Sequence, residues 1–413
     1  MLRQLYSFLI SLAEILLPIV GIFNPKIGLF VKGRKNVFHN LKDAFGKNDK
    51  IIWFHAASLG EYEQGVPVMQ QVKKRFPEYK ILLTFFSPSG YEVKKENPLA
   101  DFTTYLPLDT KRNARKFVEL VRPVMAVFIK YEIWPNYVHI LKQQGSKVIL
   151  ISGSFRKNQL YFRSYGRFLR DTLKCFDFCF VQNENSKRLL ENSGVKNVKR
   201  SGDTRFDRVS HQIEQNNTLD FIENFKKENI CVVCGSTWPE DEAILLNFIN
   251  SVPVEIKFII VPHSLNLKHI NNLKGKIAKK SVLFSEKDGK NLAEYQVFII
   301  DHVGFLNKIY SYADIAYVGG GMGVFGLHNI LEPATFGVPI IIGKNYAKFP
   351  EAKELRKVAG LFSVRNALEL EQIMDKLISD KSFRRKTGMI AGHFVQQNVG
   401  ATEIIMNYLE KEL

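Results

Sequence analysis

The chain has 413 residues, which is too long for one ordinary hydrophobic core and predicts two domains. A hydrophobic content of 46% and a charged content of 24% exclude an intrinsically disordered protein. Lys and Arg number 58 against 41 Asp and Glu, and the net charge of +17 suits an anionic partner. Because no basic run with interleaved aromatic residues is present, we expect a membrane surface or a phosphorylated substrate rather than nucleic acid.

The first predicted element is an apolar segment, residues 5–23, close to the roughly 20 residues that cross a bilayer. Glu14 and Pro18 interrupt it and argue against a simple span. No small-residue cleavage site follows, which argues against a signal peptide. Four basic residues come next: Lys26, Lys32, Arg34 and Lys35. Positive charge marks the cytoplasmic flank, so residues 1–35 are predicted to attach the protein to a membrane from the cytoplasm, by spanning it or lying in its interface. The alternative is an amphipathic core helix.

From residue 50 onward, strand-like and helix-like runs alternate, which is typical of βαβ units and a parallel sheet. The first five predicted strands are KIIWFHA, YKILLTFF, VMAVFIKY, KVILISG and FDFCFVQN. Five more follow a polar interval: ICVVCGS, IKFIIVPH, QVFIID, ADIAYVGGG and VPIIIG. We therefore predict an α/β fold with two doubly wound domains, 36–208 and 230–380, separated by a cleft. A linker, 209–229, joins them, and a helix over 381–413 ends the chain.

A carboxylate, Glu61, lies where the first predicted strand passes into a helix, within HAASLGEYEQG. Ser58 and Glu61 have the spacing of a capping box, in which each side chain binds a backbone N–H of the first helical turn. In open α/β sheets, however, ligands bind outside the carboxyl ends of the strands, which makes Glu61 a candidate general base. Both interpretations remain open at this point.

Other predicted strand ends also carry charge. Lys130 and Glu132 follow the third strand, and Arg205 lies in a predicted loop before the linker. The alternatives are a charge at a helix N-terminus for Glu132 and a surface cation for Arg205. GSTWPEDE, residues 235–242, could likewise be an anion site or an ordinary helix cap.

The glycine-rich segment 313–343 predicts a nucleotide site. Gly320 and Gly321 belong to a glycine cluster whose backbone N–H groups could approach a phosphate, and Glu332 in the following helix could bind a ribose hydroxyl. The alternative is a tight turn between packed elements. Because neither a P-loop motif nor a cluster with metal-ligand spacing is present, we expect no metal and no cofactor.

The four cysteines predict no disulfide framework. Cys231 and Cys234 lie in one apolar strand, and Cys175 and Cys179 lie in another apolar run. We expect these residues to be packed in the core of a protein in a reducing, cytoplasmic setting.

Together these segments resemble the Kdo (3-deoxy-D-manno-octulosonic acid) transferases of lipopolysaccharide assembly, over nearly the whole chain. The resemblance is carried, in chain order, by HAASLGE, TFFSPSG, YEIWPN, GDTRFD, GSTWPEDE, VPHS, DHVGFL and GGGMGVFGLHNILEPATFG. It implies a GT-B glycosyltransferase with two Rossmann-like domains facing a central cleft and an N-terminal membrane helix. The domain 36–208 would bind the acceptor and the domain 230–380 the nucleotide sugar. The implied reaction is inverting transfer of Kdo from CMP-Kdo to a lipid A precursor at the inner membrane.

The resemblance also implies roles for single residues. Glu61 would be the general base, and Glu132 and Arg205 would stabilise the transition state. The implied CMP contacts are Pro262, His263, Val303, Gly304, Phe305, Asn329, Ile330, Leu331 and Glu332. The chain departs from the family pattern at three positions: Arg205 replaces Lys, His263 replaces Arg and Phe305 replaces Glu.

Two other functions fit the sequence. One is a GT-B transferase that uses a UDP-sugar and a lipid-linked acceptor, which would prefer uracil to cytosine. The other is a membrane-attached nucleotide-binding protein without catalysis, in which Glu61 would only cap a helix.

Overall fold

The computed structural model describes residues 2–413 and divides them into two compact units. The first unit contains the residues up to Arg208 together with Val399–Leu413, and the second contains Val209–Asn398. Each unit is built on a seven-stranded parallel sheet, as the alternation of apolar and helical runs predicts.

The sheet of the first unit has the strand order β3-β2-β1-β4-β5-β6-β7. Its strands are β1 Lys50–Ala56, β2 Tyr79–Phe85, β3 Phe102–Tyr105, β4 Met125–Ile129, β5 Lys147–Gly153, β6 Phe178–Val181 and β7 Val198–Arg200. The helices up to the unit boundary are α1 Leu2–Phe23, α2 Pro25–Lys32, α3 Val37–Ala44, α4 Leu59–Arg75, α5 Pro88–Lys94, α6 Lys111–Val121, α7 Pro135–Gln143, α8 Arg167–Leu173, α9 Glu184–Asn192 and α10 Thr204–Ser210. The strand order reverses between β1 and β4, which is where ligands bind in this type of sheet.

Both faces of this first sheet are buried, and successive side chains of each strand point to opposite faces. In β1, Trp53 faces a core shared with α6 and α7, while Ile52 and Phe54 face a core shared with α4. The C-terminal helix of the chain, α19 Ala401–Glu412, contributes Ile405 and Met406 to the second of these cores.

The sheet of the second unit has the order β10-β11-β9-β8-β12-β13-β14 and reverses between β8 and β12. Its strands are β8 Ile230–Thr237, β9 Ile256–Pro262, β10 Ser281–Leu283, β11 Val297–Ile299, β12 Ile315–Val318, β13 Ile340–Gly343 and β14 Leu361–Val364. Its helices are α11 Asp220–Lys226, α12 Pro239–Ser251, α13 Leu267–Lys276, α14 Leu306–Ile309, α15 Leu331–Thr335, α16 Pro350–Lys357, α17 Ala367–Ser379 and α18 Lys381–Gln396. Residues 381–413 thus form two helices, α18 and α19, separated at Gly400, which adopts a left-handed φ of 108°.

The apolar N-terminal segment forms α1, which is long and apolar enough to cross a membrane. Only 6% of its most apolar 18-residue window is buried, so α1 is not a core helix. Three of its polar side chains instead contact other elements of the first unit. Tyr6 donates to Asp109 at 2.8 Å, Ser7 donates to Asn136, and Glu14 accepts from Asn113.

The basic residues after α1 are not equivalent. Lys26, Lys32 and Lys35 are exposed. Arg34, in contrast, donates to the carbonyl oxygens of Phe30, Leu106 and Phe86, and burial lowers its pKa to about 9. Arg34 therefore stabilises the fold and is not part of an exposed basic flank, contrary to the prediction from sequence.

All four cysteines are free thiols. Cys179, Cys231 and Cys234 are fully buried in strands, as predicted, and burial raises the pKa of Cys231 to about 12. Cys175 is only partly buried.

Candidate active site and nucleotide site

Three charged side chains meet at the point where the first sheet reverses its strand order. Glu61 lies in the first turn of α4, directly after β1, and Lys130 and Glu132 lie directly after β4. Lys130 Nζ is 3.1 Å from Glu61 Oε1. β1 and β4 are neighbouring parallel strands, so their carboxyl ends bring residues 69 positions apart in sequence into contact.

Ser58 does not cap the helix with its side chain, so the predicted capping box is wrong. It is the N-cap residue of α4, but its hydroxyl donates to Glu61 Oε2 instead of accepting a backbone N–H. Glu61 thus holds both an ammonium and a hydroxyl donor, one on each carboxylate oxygen. The spacing that suggested a cap serves to position the carboxylate.

The environment of Glu61 keeps it ionised at neutral pH. The residue is only 6% exposed, and burial alone raises its pKa. The charge of Lys130 and the hydrogen bonds from Ser58 and Lys130 outweigh that effect, so the net pKa lies below its ordinary value. A buried carboxylate that stays charged at a strand end is suited to accept a proton.

Lys130 was not selected as a site residue from the sequence. Its backbone φ of 71° lies in the left-handed region, which is uncommon for a residue with a Cβ and often marks a functional site. The position of Lys130 directly after a buried strand could have identified it as a site residue. Its contact with Glu61, however, depends on the strand order, which the sequence does not specify.

Glu132 lies in the loop between β4 and α7, before the first turn of the helix. Its Oε2 accepts a hydrogen bond from Trp134 Nε1 at 3.1 Å and lies 3.8 Å from His55 Nε2. His55 belongs to β1 and is fully buried. His55 was not selected from the sequence, because it lies in an apolar run that predicts only a buried strand.

Arg205 lies in the first turn of α10, not in a loop as predicted. Its guanidinium donates to Asp203 Oδ2 from Nε at 3.0 Å and from Nη2 at 2.7 Å. Asp203 is 8% exposed, so this ion pair is largely shielded from water. The pair holds the guanidinium in one orientation.

The glycine loop after β12 is organised by a fully buried carboxylate, Asp241, in the first turn of α12. Asp241 Oδ2 accepts from Gly320 N–H at 2.7 Å and from Trp238 N–H at 3.0 Å. Its other oxygen accepts from the Tyr317 hydroxyl at 2.9 Å. Gly320 N–H is therefore not available to a phosphate, contrary to the sequence-based argument. Gly320 and Gly321 remain predicted nucleotide contacts through other atoms.

The same loop also explains why glycine is required there. Gly320 has a φ of 87°, and a Cβ at this position would collide with the carbonyl oxygen of Gly326. A Cβ on Gly321 would lie 2.8 Å from the backbone nitrogen of Gly343, at the end of β13. Backbone packs directly on backbone at both positions.

The start of α15 contains four of the predicted CMP contacts. Asn329 Nδ2 donates to Glu332 Oε1 at 3.2 Å, and Asn329 Oδ1 accepts from Leu331 N–H at 3.2 Å. The side chains of Ile330 and Leu331 are buried, so only their backbone could contact a nucleotide. Asn329 and Glu332 are the members of this group with partly exposed polar side chains.

Four rings meet near the carboxyl ends of β8 and β9. Pro262 is buried at the end of β9, and the His263 ring stacks on Trp238 with centroids 4.5 Å apart. Phe325 also stacks on Trp238, at 4.2 Å, and His328 Nε2 accepts from Trp238 Nε1 at 3.0 Å. Burial lowers the pKa of His263. Burial and, to a smaller extent, the charge of His263 lower the pKa of His328 to about 4.

Both of these histidines are therefore neutral at pH 7, and His263 provides no constant positive charge. Trp238, Phe325 and His328 were not selected from sequence. Trp238 directly follows β8 at the reversal of the second sheet, and this position was the available signal.

The remaining predicted contacts lie before α14. Val303 is 72% exposed, and Gly304 has a left-handed φ of 97°. The Phe305 ring packs against Phe284 at 5.1 Å and Phe221 at 5.5 Å. Where the family pattern has a carboxylate, this chain has a ring that belongs to an aromatic cluster.

Within residues 2–413, no group of three or more His, Cys, Asp or Glu side chains has the arrangement of a metal site.

Comparison with known proteins agrees with these features. Residues 32–208 match the protein family described as 3-deoxy-D-manno-octulosonic-acid transferase. The enzyme of that name from Aquifex aeolicus is 29% identical over 343 residues, which cover 81% of this chain and 88% of the relative. The chain is similar to Kdo transferases over most of its length.

A second Kdo transferase, from Chlamydophila psittaci, is 27% identical over 354 residues and covers 82% of this chain and 81% of its own. Among solved structures, UDP-GlcNAc 2-epimerase from Neisseria meningitidis superposes with a TM-score of 0.62 at 17% identity, covering 88% of this chain and all of that one. At that identity the likeness concerns the fold alone, and it agrees with the GT-B type predicted from the sequence.

Proposed function

We propose that this protein is a Kdo transferase that moves Kdo from CMP-Kdo to a lipid A precursor, with inversion, at the cytoplasmic face of the inner membrane. The observation that carries the proposal is the buried, ionised Glu61, held by Lys130 and Ser58 where the first sheet reverses. The relatives named as Kdo transferases support the sugar.

In the proposed reaction, Glu61 accepts the proton of an acceptor hydroxyl as its oxygen bonds to the anomeric carbon of Kdo. The bond from that carbon to the CMP phosphate breaks at the same time, and CMP leaves with the electron pair. One displacement with one base inverts the anomeric centre. Glu132 and Arg205 are proposed to stabilise the charge that develops in the transition state.

Lys130 gives Glu61 a way to change its basicity. In the free enzyme burial raises the pKa of Glu61, but the charge of Lys130 and the hydrogen bonds from Ser58 and Lys130 together outweigh burial and keep the pKa below its ordinary value. An anionic substrate group that pairs with Lys130 would weaken this effect, and burial would then raise the pKa of Glu61. The carboxylate would become a stronger base when substrate is bound.

The nucleotide is proposed to bind the second unit, where β8 and β12 end. Pro262, His263, Asn329 and Glu332 lie at that edge, with Val303, Gly304 and Phe305 in the turn before α14. Glu332 is proposed to bind a ribose hydroxyl. CMP leaves with a single phosphate, so we propose that no divalent metal is needed.

The lipid acceptor and the membrane are supported by α1. Its outward face includes Phe8, Ile15, Ile19 and Phe23, which are between 55% and 83% exposed. The segment 156–166 of the same unit adds the exposed basic side chains of Arg156, Lys157 and Arg163 and the exposed side chains of Leu160 and Tyr165. We propose that these apolar and basic surfaces contact an anionic bilayer.

The deciding experiment incubates the purified full-length protein with CMP-Kdo and a tetra-acylated lipid A precursor, and measures product mass. We expect an increase of one or more Kdo residues, and no product from UDP-sugars. Glu61→Gln keeps the volume but cannot accept the proton, so kcat should fall about 10²- to 10⁴-fold. A variant that retains more than about a tenth of wild-type turnover would exclude Glu61 as the base. Circular dichroism melting curves verify that both proteins are folded.

A further inference from the structure

A buried hydrogen-bonded chain lies behind Glu132 and has no part in the reaction proposed above. Trp53 Nε1 donates to Thr84 Oγ1 at 2.7 Å, and Thr84 Oγ1 lies 2.8 Å from His55 Nδ1. All three side chains are fully buried. Nε2 of His55 has no hydrogen-bond partner within residues 2–413 and lies 3.8 Å from Glu132 Oε2. A buried ring nitrogen without a partner is costly unless it has a role.

The positions of the protons follow from the groups in this chain. An indole N–H can only donate, so Trp53 uses one lone pair of the Thr84 oxygen. Thr84 has one proton, and its possible acceptors are His55 Nδ1 at 2.8 Å and the Phe54 carbonyl at 3.4 Å. The shorter contact is the stronger hydrogen bond. Nδ1 therefore accepts, and the neutral ring of His55 carries its proton on Nε2.

The carboxylate of Glu132 favours the same tautomer. If the proton were on Nδ1, the lone pair of Nε2 would face the lone pairs of Glu132 Oε2 in a buried environment. With the proton on Nε2, an N–H faces the carboxylate. Trp134 Nε1 already donates to the same oxygen.

We infer that Trp53 and Thr84 hold His55 as the Nε2–H tautomer, and that His55 is a positioning residue for Glu132. The two ring N–H groups, from His55 and Trp134, hold Oε2 of Glu132 and orient Oε1 towards the reacting groups. The contact of 3.8 Å shortens to a hydrogen bond when substrate is bound, since such contacts tighten in the reacting complex. This inference rests on the proposed function of Glu132 in Kdo transfer.

The first test measures the tautomer and needs no activity. Full-length protein with ¹⁵N-labelled histidine is examined by long-range ¹H–¹⁵N NMR, and His55 is assigned by comparison with His55→Gln. We expect a protonated Nε2 and an unprotonated Nδ1 at pH 7.5. A proton on Nδ1, alone or in an imidazolium, would overturn the inference. In Thr84→Val, which removes the hydroxyl at nearly constant volume, the pure Nε2–H signature should be lost.

The second test uses substitutions that separate positioning from packing. His55→Gln can place an amide N–H near the position of Nε2, whereas His55→Leu fills similar space without a donor. We expect kcat to fall about 10- to 100-fold in His55→Leu with KM little changed, and to remain within about threefold in His55→Gln, because one hydrogen bond to a charged group is lost or kept. Equal losses in both variants, at equal melting temperatures, would contradict a positioning role.

The two tests also separate this inference from the proposed function. If no Kdo transfer is detected but the Nε2–H tautomer is present, the proposed function fails while the hydrogen-bonded chain stands. If transfer occurs and Nδ1 carries the proton, the role of His55 is overturned and the proposed function stands. If Thr84→Val does not fold, the wild-type spectrum and the His55→Gln and His55→Leu pair still decide the matter.

Discussion

Lys130 is the residue through which the basicity of Glu61 can be changed without altering Glu61 itself. Lys130→Met keeps the Cβ and the chain length, so the cost of the left-handed backbone at this position is unchanged. It removes the ammonium that lowers the pKa of Glu61, so burial is opposed by fewer groups and that pKa rises relative to the wild type.

The expected result is a shift of the acidic limb of the kcat/KM profile to higher pH. Only the ionised carboxylate accepts a proton, so activity is lost as pH falls through the pKa of folded Glu61, which is below the ordinary value in the wild type. The stability contributed by this lowered pKa is likewise present above the unfolded pKa of about 4.3 and lost as pH falls further.

Lys142→Met is the matched control for Lys130→Met. Lys142 pairs with Asp177 at 2.7 Å, and the two lysine side chains are similarly exposed, at 32% and 28%. Loss of this ion pair should leave the pH profile unchanged. An acidic limb that stays in place in Lys130→Met would show that Lys130 does not control Glu61.

The parts of the site that the sequence predicted are those at strand ends, and the parts it missed depend on contacts across the sheet. Glu61 and Glu132 were selected because each follows an apolar run. Lys130 and His55 touch those two carboxylates only because β1 and β4 are neighbours, and apolar patterning does not specify strand order. Asp241 lies in the segment 235–242 that was predicted to be an anion site or a helix cap, and its carboxylate binds the glycine loop.

At the level of elements, the loop after β12 supports a prediction about the role of its glycines. Gly320→Ala places a Cβ against the Gly326 carbonyl in a left-handed position, so the loop must move. We expect CMP affinity and melting temperature to fall together, as measured by calorimetry and circular dichroism. Glu332→Gln should weaken CMP binding about 10-fold or more with little change in melting temperature, because one hydrogen bond to a charged group is weakened.

Gly289→Ala is the control for the backbone effect alone. Gly289 has a similar left-handed φ of 74°, and a Cβ there would meet nothing within 4 Å. Gly289→Ala should lower the free energy of unfolding by roughly 1 kcal/mol and leave CMP affinity unchanged. Intact CMP affinity in both Gly320→Ala and Glu332→Gln would show that the nucleotide binds elsewhere.

The ten strands predicted from sequence are all present, and the four that were missed share one property. β3, β7, β10 and β14 are the two edge strands of each sheet. They are three or four residues long, and their sequences FTTY, VKR, SVL and LFSV lack a continuous apolar run. An edge strand is covered by fewer neighbouring elements, so fewer of its residues have to be apolar.

At the level of the whole molecule, α1 has an exposed apolar face and a face that hydrogen-bonds the rest of the first unit. Two sets of substitutions can separate the proposed membrane contact of the first face from the contribution of the second to stability. Phe8→Gln with Ile15→Gln alters the exposed apolar face, and we expect binding to anionic vesicles to weaken at least about tenfold, since each large side chain is worth about 1.5 kcal/mol or more when buried. The melting temperature should not change, because neither side chain packs in the core.

Tyr6→Phe alters the opposite face by removing the hydrogen bond to Asp109. It should lower the melting temperature and leave vesicle co-sedimentation intact. The reverse pattern, with vesicle binding lost in Tyr6→Phe and kept in the double variant, would show that α1 does not contact the bilayer through its apolar face.

The return of the chain to the first unit has a consequence for how the protein is made. α19 supplies Ile405, Met406 and Leu409 to the core beneath β1, although these residues are synthesised after the whole second unit. Until then, the sheet of the first unit, whose seven strands are complete at Arg200, lacks the part of its apolar cover that α19 supplies beside α4. About two hundred further residues are translated before α19 can pack, and during that interval we expect the nascent first unit to expose apolar surface of the kind that chaperones bind.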